Sequence, residues 1–144
     1  MSRLTFNIIA LSRCSAQYRS EKMAAHGLKG CHISYLLHIC HCPGISQDRL
    51  AQRIYINKSN VARQAAFLEE QGFITRRPCE TDKRVLELYP TEKAQALLPE
   101  VHAILDQWSD FLSEDVTPEE LETVNAVLDK MRQKAGSWMN VHEK

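Results

Sequence analysis

The densest group of side chains able to do chemistry lies between residues 46 and 84. Lys58, Ser59, Asn60, Arg63 and Gln64 follow Asn57 on what the spacing makes the outer face of a short helix. Hydroxyl and amide groups of this size reach base edges in a DNA major groove. An arginine takes guanine bidentately or neutralises a phosphate, and a lysine suits phosphate. A second group, Arg76, Arg77, Lys83 and Arg84, carries Asp82 two residues before Arg84. On a hairpin tip, an Asp so placed can hold the guanidinium ready to enter a minor groove, where narrow A·T-rich stretches attract cations. A solvated helix face and a surface ion pair would account for part of this pattern. The clustering of Arg49, Arg53, Lys58 and Arg63 against Asp48 favours contact with a polyanion.

A different chemistry is offered by His26, Cys31, His32, His38, Cys40, His41 and Cys42. On a helix, His38, His41 and Cys42 share one face at i, i+3 and i+4 and could hold part of a zinc or copper site, with His102 or Cys14 as distant ligands. No CxxC pair occurs, and Cys40 fits an apolar stripe as a small hydrophobe. No metal and no cofactor is therefore expected. A helical metal- or thiol-sensing or interaction module built on residues 26–42 is the alternative reading. Five cysteines is an odd number, and no secretory signal precedes them, so reduced thiols in the cytoplasm are expected rather than a disulfide framework. A glycine-rich phosphate loop, a GxSxG motif and motif-placed paired carboxylates are all missing, so no enzyme is expected.

These side chains need elements to position them. Leu4, Ile8, Leu11, Ser15 and Tyr18 recur at helical spacing, and Gly27 and Gly30 bracket the end of that segment. Ile33, Leu36, Leu37 and Cys40 mark a short second helix, stopped by Pro43-Gly44. Ser46 can cap a third helix carrying Leu50, Ala51 and Ile54. After Tyr55-Ile56, Asn57 can cap a fourth with Val61, Ala65 and Leu68 inward, and Gly72 can end it in a left-handed conformation. Two short helices with a tight link form a helix-turn-helix, although the link lacks glycine. Ile74–Arg77 and Arg84–Tyr89 read as two strands, a basic hairpin placed as a wing. Thr91 opens a long helix with the stripe Ala94, Leu97, Leu98, Val101, Ile104, Leu105, Trp108, Phe111 and Leu112, which resumes in register after Pro99. Thr117-Pro118-Glu119-Glu120 places cap, proline and capping-box Glu in order for a last helix through Leu121, Val124, Val127, Leu128 and Met131, which Gly136 can terminate.

The chain has 144 residues, 44% hydrophobic and 25% charged, the composition of a folded globular domain. Its 18 basic and 18 acidic side chains cancel, but not locally. Residues 1–27 carry four basic and one acidic, residues 28–90 nine and six, and residues 91–144 five and eleven. Such asymmetry indicates a polyanion-facing part and a separate acidic part. No run approaches the roughly 18 apolar residues of a membrane span. The fold class expected is mostly α with a small β wing. The apolar helices left over at both ends, beyond what one small core can cover, call for a partner.

This order of elements resembles the MarR (multiple antibiotic resistance regulator) family of bacterial winged-helix transcription factors, over roughly Phe6 to Ala135. The most specific stretches are Ser46-Gln47-Asp48-Arg49-Leu50-Ala51, Asn57-Lys58-Ser59-Asn60-Val61, Leu68-Glu69-Glu70-Gln71-Gly72-Phe73-Ile74, Asp82-Lys83-Arg84 and Thr91-Glu92-Lys93. The resemblance implies one MarR-type domain over 1–144, with a DNA-binding lobe at 28–90 and a helical dimerisation lobe at 1–27 and 91–144. Arg63 and its neighbours then match the recognition helix and Arg84 the wing arginine, oriented by Asp82. DNA contacts are expected from Ser46, Asn57, Lys58, Ser59, Asn60, Arg63, Gln64, Arg76, Lys83 and Arg84. The terminal helices match a dimer interface, carried by Leu4, Ile8, Leu11, Leu105, Trp108, Leu112, Leu121, Leu128 and Met131. A cytoplasmic homodimer, acting as a ligand- or stress-responsive repressor, would bind a pseudo-palindromic operator in double-stranded DNA with its recognition helices about 34 to 36 Å apart. The resemblance also implies a small apolar or phenolic effector in the crevice between dimer helices and winged core, with Phe6, His32, Tyr35 and Trp108 to line it. Cys14 with Tyr18 is similar to a peroxide-sensing pair of some members, but lies two to three turns later. Pro90 and Ala94 depart from the family's usual Leu and Gly.

Overall fold

The computed structural model describes residues 1–142. It is mostly helical with a small antiparallel sheet. The chain runs through α1 (Arg3–Met23), a single 3₁₀ turn (Ala24–His26), α2 (His32–His41), β1 (Ile45–Ser46), α3 (Gln47–Ile54), α4 (Lys58–Glu70), β2 (Ile74–Pro78), β3 (Leu86–Pro90), α5 (Glu92–Leu112) and α6 (Pro118–His142). The helix starts follow from their caps. Ser46 accepts the N–H of Arg49, Asn57 that of Asn60 and Thr91 that of Ala94. At α6 the capping box is reciprocal: Thr117 Oγ1 accepts from Glu120 N–H, and Glu120 Oε1 from Thr117 N–H, each at 3.2 Å.

The core sits between α2, α3, α4, the sheet and the first half of α5. Met23, Leu36, Ile39, Leu50, Val61, Leu68, Leu88 and Val101 are all fully buried there. Ala94 is equally buried, leaving no room for a larger side chain where α5 meets the core. Strand order is β1-β3-β2, with Ile45 opposite Leu88 and Arg76 opposite Leu88 on the other side. β1 is not among the expected strands: two residues carry no alternation to read. The wing strands differ at their ends from the expected bounds, since Pro78 and Pro90 are included and Arg84-Val85 belong to the turn. Val85 N–H donates to the Asp82 carbonyl at 3.0 Å, which closes that turn. Pro99 lies inside α5, which continues through it to Leu112.

Two local expectations are corrected. Gly136 does not end α6, which runs on to His142. A glycine inside a helix costs about 1 kcal/mol relative to alanine, and close packing on Tyr55 gives the reason for it. A Cβ at Gly136 would lie 3.0 Å from Tyr55 Cε1. In the helix-turn-helix link, Tyr55 itself takes the left-handed conformation (φ 59°) that a glycine would adopt more easily.

Candidate nucleic-acid interface

Asn57 and Ser46 turn out to be structural. Each spends its side-chain oxygen on a helix N-terminus, and Asn57 Oδ1 also accepts from Ser59 Oγ at 2.9 Å. Their effect is to start α3 and α4 in register and leave Lys58, Ser59 and Arg63 exposed, with Asn60 half-buried, on the outer face of α4. Lys58 lies 3.6 Å from Asp48, an exposed pair of little strength. Arg63 and Lys83 have no ion-pair partner among the described residues.

The wing tip holds a tighter arrangement. Arg84 Nε and Nη2 donate to the two carboxylate oxygens of Asp82 at 3.1 and 3.2 Å, and Arg84 N–H donates to Oδ1 at 3.1 Å. The Arg84 side chain is nonetheless 91% exposed. The guanidinium and that N–H hold the Asp82 carboxyl below the usual carboxylate range. Asp82 thus fixes a cation that projects into solvent rather than one held in a buried bridge. Behind the tip, Arg77 lies over the Tyr89 ring at 4.7 Å, a diagonal cross-strand pair absent from the expected set of site residues.

Two expected contacts point elsewhere. Arg76 is committed to Glu69 of α4: its backbone N–H donates to Oε2 at 2.9 Å and its guanidinium to Oε1 at 3.2 Å. It braces the wing against α4. Gln64 turns inward, its Oε1 2.7 Å from Nε2 of His32. His32 Nδ1 accepts the Lys29 backbone N–H at 2.9 Å, so the proton sits on Nε2 and donates to Gln64. The ring is fully buried and stacks on Phe67 at 5.0 Å, and burial lowers its pKa. His32, Gln64 and Phe67 line a cavity of about 160 Å³ with Lys29 and Arg63.

Of the four residues expected to share an effector crevice, His32 and Tyr35 meet edge to face with ring centroids 6.2 Å apart, while Phe6 and Trp108 lie elsewhere. Phe6 is exposed on α1, and Tyr35 is core, its phenol pushed up to about 12 by burial. Trp108 donates from Nε1 to Ser15 Oγ at 2.8 Å and stacks on Tyr18 at 4.6 Å, so it joins α5 to α1 within the chain. Leu105 is half-buried against the core, whereas Leu4, Ile8, Leu11, Leu112, Leu121, Leu128 and Met131 stay exposed.

The His/Cys-rich stretch disperses as well. His38 Nδ1–H donates to the Ser34 carbonyl at 2.8 Å, and His26 pairs with Glu100 at 2.8 Å. His41 approaches His102 with ring centroids 6.0 Å apart. Among the described residues no group of three or more His, Cys, Asp or Glu is placed to hold a metal ion. Nor is any described helix long and apolar enough to cross a membrane.

Residues 32–86, from α2 to the wing, match the model of the MarR family. Over 98 residues the chain is 36% identical to an uncharacterized HTH-type transcriptional regulator, YybA, of Bacillus subtilis strain 168. That alignment covers 68% of this chain and 65% of the relative, slightly under two thirds of its length. The crystal structure of the transcriptional regulator SlyA superposes with a TM-score of 0.92 at 23% identity, covering 97% of this chain and 99% of that one. A MarR family regulator from Listeria monocytogenes, solved in complex with a 26mer DNA, gives a TM-score of 0.90 at 22% identity over 96% and 93% of the two chains. These two likenesses establish the fold. Residues 32–86, spanning the helix-turn-helix and wing, thus match the MarR family, and the chain shares along nearly its whole length the winged-helix fold of the regulators it resembles.

Proposed function

We propose that the protein is a cytoplasmic homodimer that binds a pseudo-palindromic operator in double-stranded DNA and represses transcription until a small apolar or phenolic effector is bound. The observation that carries the DNA part is the Asp82-clamped, exposed Arg84 at the wing tip, with Lys58, Ser59 and Arg63 presented on the outer face of α4. A fixed cation for a narrow minor groove and an adjacent polar helix for the major groove read neighbouring segments of one duplex. The Listeria protein of the same fold was solved with DNA, which supports the same use here. Dimerisation is supported by exposed large apolar side chains on α1 and α6. An effector is supported by the cavity beside α4, where an occupant would touch His32, Gln64 and Arg63 and so bear on the helix that reads DNA. In this reading 28–90 is the DNA-binding lobe and the terminal segments form the dimerisation lobe.

The test is a salt series of gel shifts on a duplex selected from a randomised pool. Specific binding with a steep salt dependence is expected, reporting displaced counterions. Binding that fails to discriminate the selected duplex from scrambled sequence would overturn the reading.

A further inference from the structure

Two residues break local rules, and they meet. Tyr55 is the one described residue other than glycine with a positive φ, and it closes α3 three residues before α4 begins. Gly136 lies inside α6 and is its only buried residue through Asn140. The Tyr55 ring covers Gly136 so closely that an added Cβ would stand 3.0 Å from Cε1. One turn earlier on the same face of α6, Arg132 Nη1 donates to the Tyr55 hydroxyl at 3.1 Å, and Arg132 Nη2 donates to Asp129 Oδ1 at 3.4 Å. A strained link residue and a helix-interior glycine are each unfavourable alone. Together they make a contact between α6 and the turn of the helix-turn-helix, and such paired local violations concentrate at functional positions.

We propose that Tyr55, held by Gly136 and Arg132, is a positioning residue that fixes the recognition helix α4 relative to the dimer axis and thereby selects the half-site spacing of the operator. The inference rests on the reading above, in which α6 belongs to the dimer interface and the DNA carries two half-sites. The winged core is already fixed to α5, whose Ala94, Leu97, Val101 and Ile104 are buried in it. The contact at Tyr55 adds a separate attachment to α6, made where the chain enters α4. The helix-turn-helix is thereby held from both α5 and α6. One base pair of added spacer moves a half-site by about 3.4 Å and about a tenth of a turn, so a reading head held at two points tolerates few spacers.

The experiment uses the full-length protein and a duplex selected from a randomised pool, rebuilt with spacers shortened or lengthened by one and two base pairs. Wild-type protein is expected to prefer one spacer by at least about tenfold, and Tyr55→Gly, which relieves the backbone and removes the ring, to prefer it by less than about threefold. The salt slope should not change, because no phosphate contact is touched. Tyr55→Phe keeps the ring on Gly136 and should retain the preference. If Tyr55→Gly does not fold, Gly136→Leu, which displaces the ring from the α6 side, gives the same reading. A wild-type spacer profile in the folded variants, or an equal loss on every spacer, overturns the positioning role. Wild-type protein that binds no duplex overturns the operator reading instead, so the two failures are distinct.

Discussion

At the scale of single residues, Arg84 is decisive because its partner restrains it without hiding it. Asp82 holds the Nε–Nη2 edge of the guanidinium while the side chain stays in solvent, so little ordering remains to be done when a groove arrives. Arg84→Ala is expected to weaken operator binding by about 1 to 3 kcal/mol with the fold intact. Asp82→Ala should cost less, since it frees the cation but keeps it, and gel-shift titrations at one salt concentration rank the two. Lys58→Ala should weaken binding on all sequences alike and flatten the salt slope by about one unit. His32 belongs to the same scale but titrates. Its folded pKa lies below the ordinary 6.5, because burial disfavours the cation and Nδ1 is already an acceptor. The unfolded chain therefore takes up the proton first. Stability is full above the ordinary value and is lost as pH falls from there through the folded value. Urea midpoints measured at about pH 7.5 and 5.5 should drop for the wild type by more than for His32→Gln, which has no proton to gain. Equal drops would show that the buried ring does not contribute.

At the scale of elements, what holds the reading face in place is a set of caps and braces. Asn57→Ala should cost about 0.5 to 2 kcal/mol of stability by uncapping α4, and should lower operator affinity although Asn57 spends its oxygen on the helix end. Matched thermal-melt and gel-shift measurements check this. The caps at Ser46, Asn57, Thr91 and Thr117 and the left-handed Gly72 were legible in the sequence because each acts on residues two to four positions away. The Asp82–Arg84 clamp was legible for the same reason. Gln64 and Arg76 were not, because what redirects them, His32 and Glu69, lies 32 and 7 residues off in the chain. The continuation of α6 past Gly136 and the left-handed turn at Tyr55 were hidden for a stronger reason: each looks wrong locally and makes sense only against the other. β1 was hidden by being too short to show a period.

At the scale of the whole molecule, one chain leaves an imbalance that the proposed second copy would resolve. The winged core is closed over its buried residues, yet Leu4, Ile8 and Leu11 on α1 and Leu121, Val124, Val127, Leu128 and Met131 on α6 are each at least 37% exposed. Apolar side chains so concentrated on two helices mark an interface rather than an ordinary surface. Trp108 is not the residue to test it with, since its indole is already spent between α5 and α1 of its own chain. Leu128 is, because it is 47% exposed in the middle of α6 and touches neither the core nor the DNA-facing side. Leu128→Asp places a carboxylate where the partner's apolar face would desolvate it, an uncompensated charge costing several kcal/mol. It should shift the protein to monomer and abolish operator binding while the winged core stays folded by circular dichroism. A light-scattering mass of one chain for the wild type at micromolar concentration would contradict the dimer. It would also leave the basic wing and helix of each copy to bind half-sites singly, with no preference for a palindrome.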